Sequence, residues 1–289
     1  MGLIDLIKAN NFEDLSIYLR CLLDRIPIVV CGSQRTLVND IISESCDLVH
    51  FRKKQVLGLD FHMKNKYLRF LREEILNSSK GIYCAPVEQT DILLKRFDDL
   101  TGWIVGILST SEETINERLN EIRMRNPRLL VIEMNGGYNI DSSMLFGKRN
   151  AGLSVQFEKK TLKKALSRIG LVERANRILS RKVKDETLVD ERFFYELTDL
   201  SIFLNLKKEM TDFYQAATRC MTFLSKLNYL YQYRSVKIGK KMLLEAILYD
   251  IDIKRFMDFI WEEWGKDFSH LVEENKFSAL GDQMDSLWG

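Results

Sequence analysis

Over the first 140 residues, short continuous apolar runs alternate with longer stretches in which apolar residues recur every three or four positions. Ile4, Leu6, Ile7, Phe12, Leu15, Tyr18, Leu19, Leu22 and Leu23 keep helical spacing over residues 3–24, with Asn10-Asn11 as a break. Ile26-Pro27-Ile28-Val29-Val30-Cys31-Gly32 follows, an apolar, β-branched run closed by glycine. That is the pattern of a strand buried on both faces. A helix is predicted to begin near Thr36. Further strands are predicted at 47–51, 55–61, 81–87, 103–108 and 129–134. Helices over 67–76, 90–100 and 111–124 lie between them, the last opening on Ser111-Glu112-Glu113-Thr114, a cap with an acidic first turn. Strands alternating with helices predict an α/β fold, a parallel sheet flanked by helices.

From Lys159 the period changes. Leu162, Leu166, Ile169, Val172 and Leu179 form one helical stripe. Phe193, Phe194, Leu197, Leu200, Phe203 and Leu204 form another, and Phe213, Ala217, Cys220, Leu224, Leu227 and Tyr231 a third. No strand is predicted here. The expected organisation is an α/β domain over 1–150 and an all-helical C-terminal domain over 151–289.

Composition narrows the class. Apolar residues make up 46% and charged residues 29%, which excludes disorder. No run approaches the roughly 18 apolar residues of a membrane span. The N-terminus lacks a basic segment followed by a long apolar one, so no secretory signal and no membrane are expected. Five cysteines without a CxxC pair predict reduced thiols in a cytoplasmic protein. Three histidines far apart in sequence predict no metal site, and no Ser-His-Asp or Cys-His arrangement is readable.

The net charge of +2 conceals a basic block. Lys160, Lys163, Lys164, Arg168, Arg174, Arg177 and Arg181 fall in one helical stretch, 159–184, where Glu173 is the only acid. Such a face attracts the phosphate backbone of nucleic acid without base specificity. The other reading is a solvated face neutralised by Asp185, Glu186, Asp190 and Glu191.

The stretch Ile28 to Val38 resembles the start of a P-loop NTPase domain: apolar strand, glycine, short loop, then a basic residue and a hydroxyl opening a helix. In such loops backbone N–H groups wrap the phosphates, with lysine and Ser/Thr on the phosphates and Mg²⁺. The resemblance implies phosphate-binding roles for Gly32, Ser33, Arg35 and Thr36. Here the loop is about three residues short and lacks the second glycine, so the implied site is degenerate, with no cofactor rather than ATP or Mg²⁺. An α/β core followed by helices also resembles the AAA+ layout, including clamp-loader subunits that keep the fold without hydrolysing ATP. Read from the residues alone, Gly32 also fits an ordinary strand-to-helix turn.

Asp60 in Leu57-Gly58-Leu59-Asp60-Phe61 sits at a predicted strand end, and Glu133 closes Leu129-Leu130-Val131-Ile132-Glu133. The first resembles the acidic strand of RNase H-like nucleases, which implies a catalytic pair, Asp60 and Glu133, on Mg²⁺. A plain strand-end role for Asp60 stays open. Asn135-Gly136-Gly137-Tyr138-Asn139 reads as a turn that either connects to the second domain or approaches a ligand. In the tail, Met284, Leu287 and Trp288 have a spacing that resembles a sliding-clamp-binding peptide, with Gly281 where glutamine is usual. That implies a protein partner such as a sliding clamp; packing of the tail on its own domain is the other reading.

The expected function is a non-catalytic, nucleic-acid-associated adaptor or assembly protein with an inactive ATPase-like domain. The alternatives are a divergent metal-dependent nuclease or NTPase, and a protein–protein scaffold presenting Tyr229, Tyr231, Tyr233, Trp261 and Trp264.

Overall fold

A computed structural model of the chain describes residues 2–56, 80–90, 102–108, 112–126, 128–134, 137–145, 155–167, 191–234, 237–249 and 251–273. It has an α/β sheet flanked by helices and a helical C-terminal region. The chain divides into two units, Met1–Thr211 and Asp212–Gly289.

In the first unit α1 (Gly2–Ala9) and α2 (Phe12–Leu23) are separated by the predicted Asn10-Asn11 break. Asn11 caps α2, its side-chain oxygen accepting the Asp14 N–H at 3.0 Å, and Glu13 and Asp14 supply the acidic first turn. Strand β1 (Ile28–Gly32) is buried along its whole length, as its unbroken apolar run requires. It leads through Ser33 and Gln34 into α3 (Arg35–Leu48). Strands β2 (Lys54–Val56), β3 (Ile82–Ala85) and β4 (Trp103–Leu108) follow, then α4 (Glu112–Arg125), β5 (Leu130–Glu133) and β6 (Asn139–Asp141).

The strand order is β2-β3-β4-β1-β5-β6. The first five run parallel, with Val29 opposite Val105 on one side and Val131 on the other. From β1 the chain crosses to β2 at the far edge, and from β4 it crosses the opposite way to β5. Right-handed crossovers then put α3 and α4 on opposite faces. The packing agrees. Val29, Cys31, Tyr83, Trp103, Val105 and Val131 meet Leu119 and Ile122 of α4. On the other face α3 lies so close that a Cβ on Gly106 would come within 2.8 Å of Val38 and 2.9 Å of Ile42.

Several expectations are corrected. Residues 47–51 are not a strand: α3 runs on to Leu48, and Val49, Ile41, Ile42 and Cys46 are buried with it. Leu48, Val49 and Phe51 mimic a strand because short apolar stretches do not distinguish the two. Just past α3, Arg52 is buried and donates to the Leu23 carbonyl at 2.8 Å and the Lys80 carbonyl at 3.2 Å. The sheet is not purely parallel, since β6 pairs antiparallel with β5. The turn at 135–139 therefore leads to an edge strand and not straight to a second domain. The helices predicted at 67–76 and 90–100 lie outside the described residues, except for Thr90.

Helix α5 (Gln156–Ser167) belongs to the first unit, where it packs on α2. The division into units falls inside the long helix α6 (Glu191–Arg234). The C-terminal region is not wholly helical: β7 (Ile238–Gly239) and β8 (Val272–Glu273) form a parallel pair. Two residues are too few to show a period in sequence. Between them α7 (Lys240–Ile247) and α8 (Ile253–Trp264) complete the second unit. Its core is aromatic. Phe213 stacks on Phe256 with ring centroids 5.4 Å apart and meets Phe259 edge-on at 4.9 Å, while the buried Arg255 guanidinium lies 5.1 Å from the Phe213 ring. No helix among the described residues is long and apolar enough to cross a membrane.

Candidate functional site

In open α/β sheets ligands gather at the carboxyl ends of the strands. Here that edge holds Gly32 and Ser33 after β1, the 3₁₀ turn Val87–Gln89 after β3, and Glu133 with Met134 at the end of β5. Gly32 is required there by packing. A Cβ at this position would lie 2.7 Å from Met134 Cε and 3.3 Å from Met134 Cβ, with Val38 Cγ2 at 3.2 Å. Met134 lies across the strand end, its N–H donating to the Cys31 carbonyl at 2.9 Å. Ser33, Gln34, Arg35 and Thr36 are exposed. Only two residues link strand to helix, so there is no loop of successive N–H groups to enclose a phosphate. The Arg35 guanidinium pairs with Glu88 Oε1 at 3.1 Å, across to the turn after β3. The Asn39 carboxamide oxygen accepts the Val87 N–H at 3.2 Å and holds the same turn against α3.

Glu133 is half-buried, in register with Cys31 on β1 and Asn139 on β6. Burial, and then the Glu133 carboxylate, push the Cys31 thiol up to about 12. Asp60 lies outside the described residues. Strand β2, from which the chain runs toward Asp60, is four positions from β5 in the sheet, about 19 Å at the usual strand spacing. Among the described residues no group of three or more His, Cys, Asp or Glu is placed to hold a metal ion. His50 is exposed, and burial followed by the Lys207 ammonium lowers its pKa.

The basic helix is described as far as Ser167, so Arg168, Arg174, Arg177 and Arg181 lie outside the described residues. Within α5, Lys160, Lys163 and Lys164 are exposed. Lys164 Nζ nonetheless donates to Glu209 Oε2 at 2.7 Å, and that carboxylate is only 2% exposed. Lys159 pairs with Glu13 of α2. One residue earlier, Glu158 is fully buried, 3.8 Å from Arg20 of α2, whose guanidinium also pairs with Asp24. Thus α5 is held by a buried charge network on one side and by lysine–carboxylate pairs beside it. The side-chain partners Glu13, Arg20 and Glu209 carry no local sequence signal. Glu13 reads as a helix-start acid, and Glu209 lies 45 positions from Lys164.

The tail residues Met284, Leu287 and Trp288 also lie outside the described residues. Of the aromatic residues expected on a partner surface, Tyr229 and Trp261 are exposed, Tyr231 and Trp264 are half-buried, and Trp264 packs against Phe259 with centroids 5.9 Å apart. Tyr229 lines a hollow of about 540 Å³ with Met221, Thr222, Ser225, Lys226 and Leu230 of α6. The loop after β5 is tied to the N-terminal helix: Asn10 donates to the Tyr138 carbonyl at 3.1 Å, and the Tyr138 hydroxyl donates to Asp5 at 3.5 Å. No protein-family model, no curated protein and no solved structure matches the chain.

Proposed function

We propose that the chain is a non-catalytic assembly or adaptor protein of nucleic-acid transactions, built on a P-loop-like domain that does not use a nucleotide. The observation that carries this reading is the β1–α3 turn. Its two residues and the Met134 side chain packed over Gly32 leave no phosphate cradle at the place where such a domain would bind one. Support for a P-loop-like domain comes from the five parallel strands β2-β3-β4-β1-β5, with β1 leading through a glycine turn into α3. Support for a polyanion partner comes from Lys160 and Lys163, exposed on the helix that the Arg20–Glu158 network positions.

Two titrations test it. A fluorescent ATP analogue with Mg²⁺ is expected to show no saturable binding at millimolar nucleotide; saturable binding or turnover sinks the non-catalytic reading. Fluorescence anisotropy with single- and double-stranded DNA across a salt series is expected to show binding that weakens as salt rises. Lys163→Glu should lower the logarithmic salt slope by about 1, near one unit for each phosphate no longer neutralised. Lys163 is the position to change, because Lys164→Glu would also set a second carboxylate against buried Glu209. Absence of binding at low salt removes the nucleic-acid partner and leaves a protein scaffold.

A further inference from the structure

In the second unit α6 has two apolar faces. One is buried in the core through Phe213, Ala217, Cys220, Leu224 and Leu227. The other lines the hollow of about 540 Å³ in two adjacent rows, Met221, Ser225 and Tyr229 in one and Thr222, Lys226 and Leu230 in the next. Tyr229 is 62% exposed and Leu230 51%. From Met221 to Leu230 the rows extend about 14 Å along the helix.

The chain arrives at one end of this hollow. His270 Nε2 lies 3.0 Å from the Asn228 carboxamide oxygen, and the His270 ring meets Tyr231 edge-on with centroids 5.4 Å apart. Glu273, the last described residue, is paired with Gly239 in the short sheet. Residues 274–289 continue from there. In them Phe277, Leu280, Met284 and Leu287 are spaced three, four and three, the seam of an amphipathic helix. Wound as a helix, Phe277 to Leu287 spans about 15 Å, the length of the hollow. The charges are complementary. Residues 277–289 carry Asp282 and Asp285 and no cation, whereas Arg219 and Lys226 are the charges between positions 218 and 230 of α6, and both are exposed.

We propose that the hollow on α6 is the seat of the chain's own C-terminal segment, residues 277–288. The segment runs antiparallel to α6, with Phe277 at the Tyr229 and Leu230 end and Leu287 toward Met221. Burial of its apolar seam against those three side chains supplies the attraction, and the opposite charges of the two segments add to it. An outside protein that takes the tail has then to displace it from α6.

The test is amide hydrogen exchange on the full chain, read by peptide mass spectrometry. Residues 277–288 are expected to exchange at least about tenfold more slowly than a synthetic peptide of the same sequence, and equally slowly when the protein is diluted. Leu230→Glu and Leu287→Glu each set a carboxylate into the contact from one side. Either should bring residues 277–288 to the free-peptide rate while α8 keeps its protection. If Leu230→Glu loosens α8 as well, Tyr229→Ala takes its place, with the same expected release of the tail. The proposal is overturned if residues 277–288 exchange at the free-peptide rate in the native chain, or if their protection survives the substitution on α6. Protection that fades on dilution also overturns it and assigns the hollow to a second copy of the chain.

Discussion

The β1–α3 turn and helix α5 both carry residues that read as anion contacts, and the fold treats them in opposite ways. At the turn the side chains are left in solvent and the backbone is closed, because Gly32 serves the approach of Met134 and Val38. On α5 the backbone is an ordinary helix and the charges are treated singly. Lys159 and Lys164 answer Glu13 and Glu209, and Lys163 is exposed. The difference teaches that a glycine or a lysine in a ligand-like pattern carries function only when packing has no prior claim on it. For a glycine the claimant is the volume its missing Cβ would fill. For a lysine it is a carboxylate brought in by another element.

Substitutions that separate packing from display can break or sharpen this contrast. The largest effect is expected at Glu158, which is fully buried against Arg20. Glu158→Ala removes one of the two carboxylates that the buried Arg20 guanidinium faces, Asp24 being the other, and should cost about 3 kcal/mol in urea unfolding, the lower end for a broken buried pair. A cost under about 1 kcal/mol would mean the network does not anchor α5. Next is Gly32→Ala, expected to cost about 1–3 kcal/mol through overpacking. Met134→Ala in the same chain should recover part of that loss, a non-additivity that a phosphate-binding role for Gly32 would not produce. Adjacent lysines then provide an internal control. Lys164→Ala should cost about 1–2 kcal/mol because it strips a buried carboxylate of a charged donor. Lys163→Ala should stay within about 0.5 kcal/mol. The smallest effect is Arg35→Ala, which breaks an exposed pair with Glu88 and should cost less than about 1 kcal/mol. Loss of the ordered turn after β3, seen as faster amide exchange at Val87, would show that the pair does more than decorate the surface.

Much of the fold is legible along the chain. The break at Asn10-Asn11, the buried runs of β1, β4 and β5, and the acidic opening of α4 each announce themselves locally, because period and capping are properties of a few consecutive residues. Residues 47–51 and the pair β7–β8 are not legible for the same reason in reverse. The first is an apolar run whose helical neighbours set its conformation, and the second has too few residues to show any period. The candidate sites were legible as inventories of residue types and not as sites. The shortness of the turn after Gly32 is visible in sequence. That Met134, 102 positions on, seals it is not.

By itself, the sequence determined that an α/β sheet precedes a helical region, that the glycine turn departs from a phosphate loop, and that cations crowd into residues 159–184. All three follow from residue order over short spans. Tertiary structure alone decided that Lys159 and Lys164 meet carboxylates, why Gly32 has to be glycine, and that Arg52 is buried against backbone carbonyls. Each of these depends on atoms that the crossovers of the sheet and the docking of α5 on α2 bring together from distant parts of the chain. Burial then makes the contact matter, since a charge removed from water is governed by its nearest partner rather than by its neighbours in sequence.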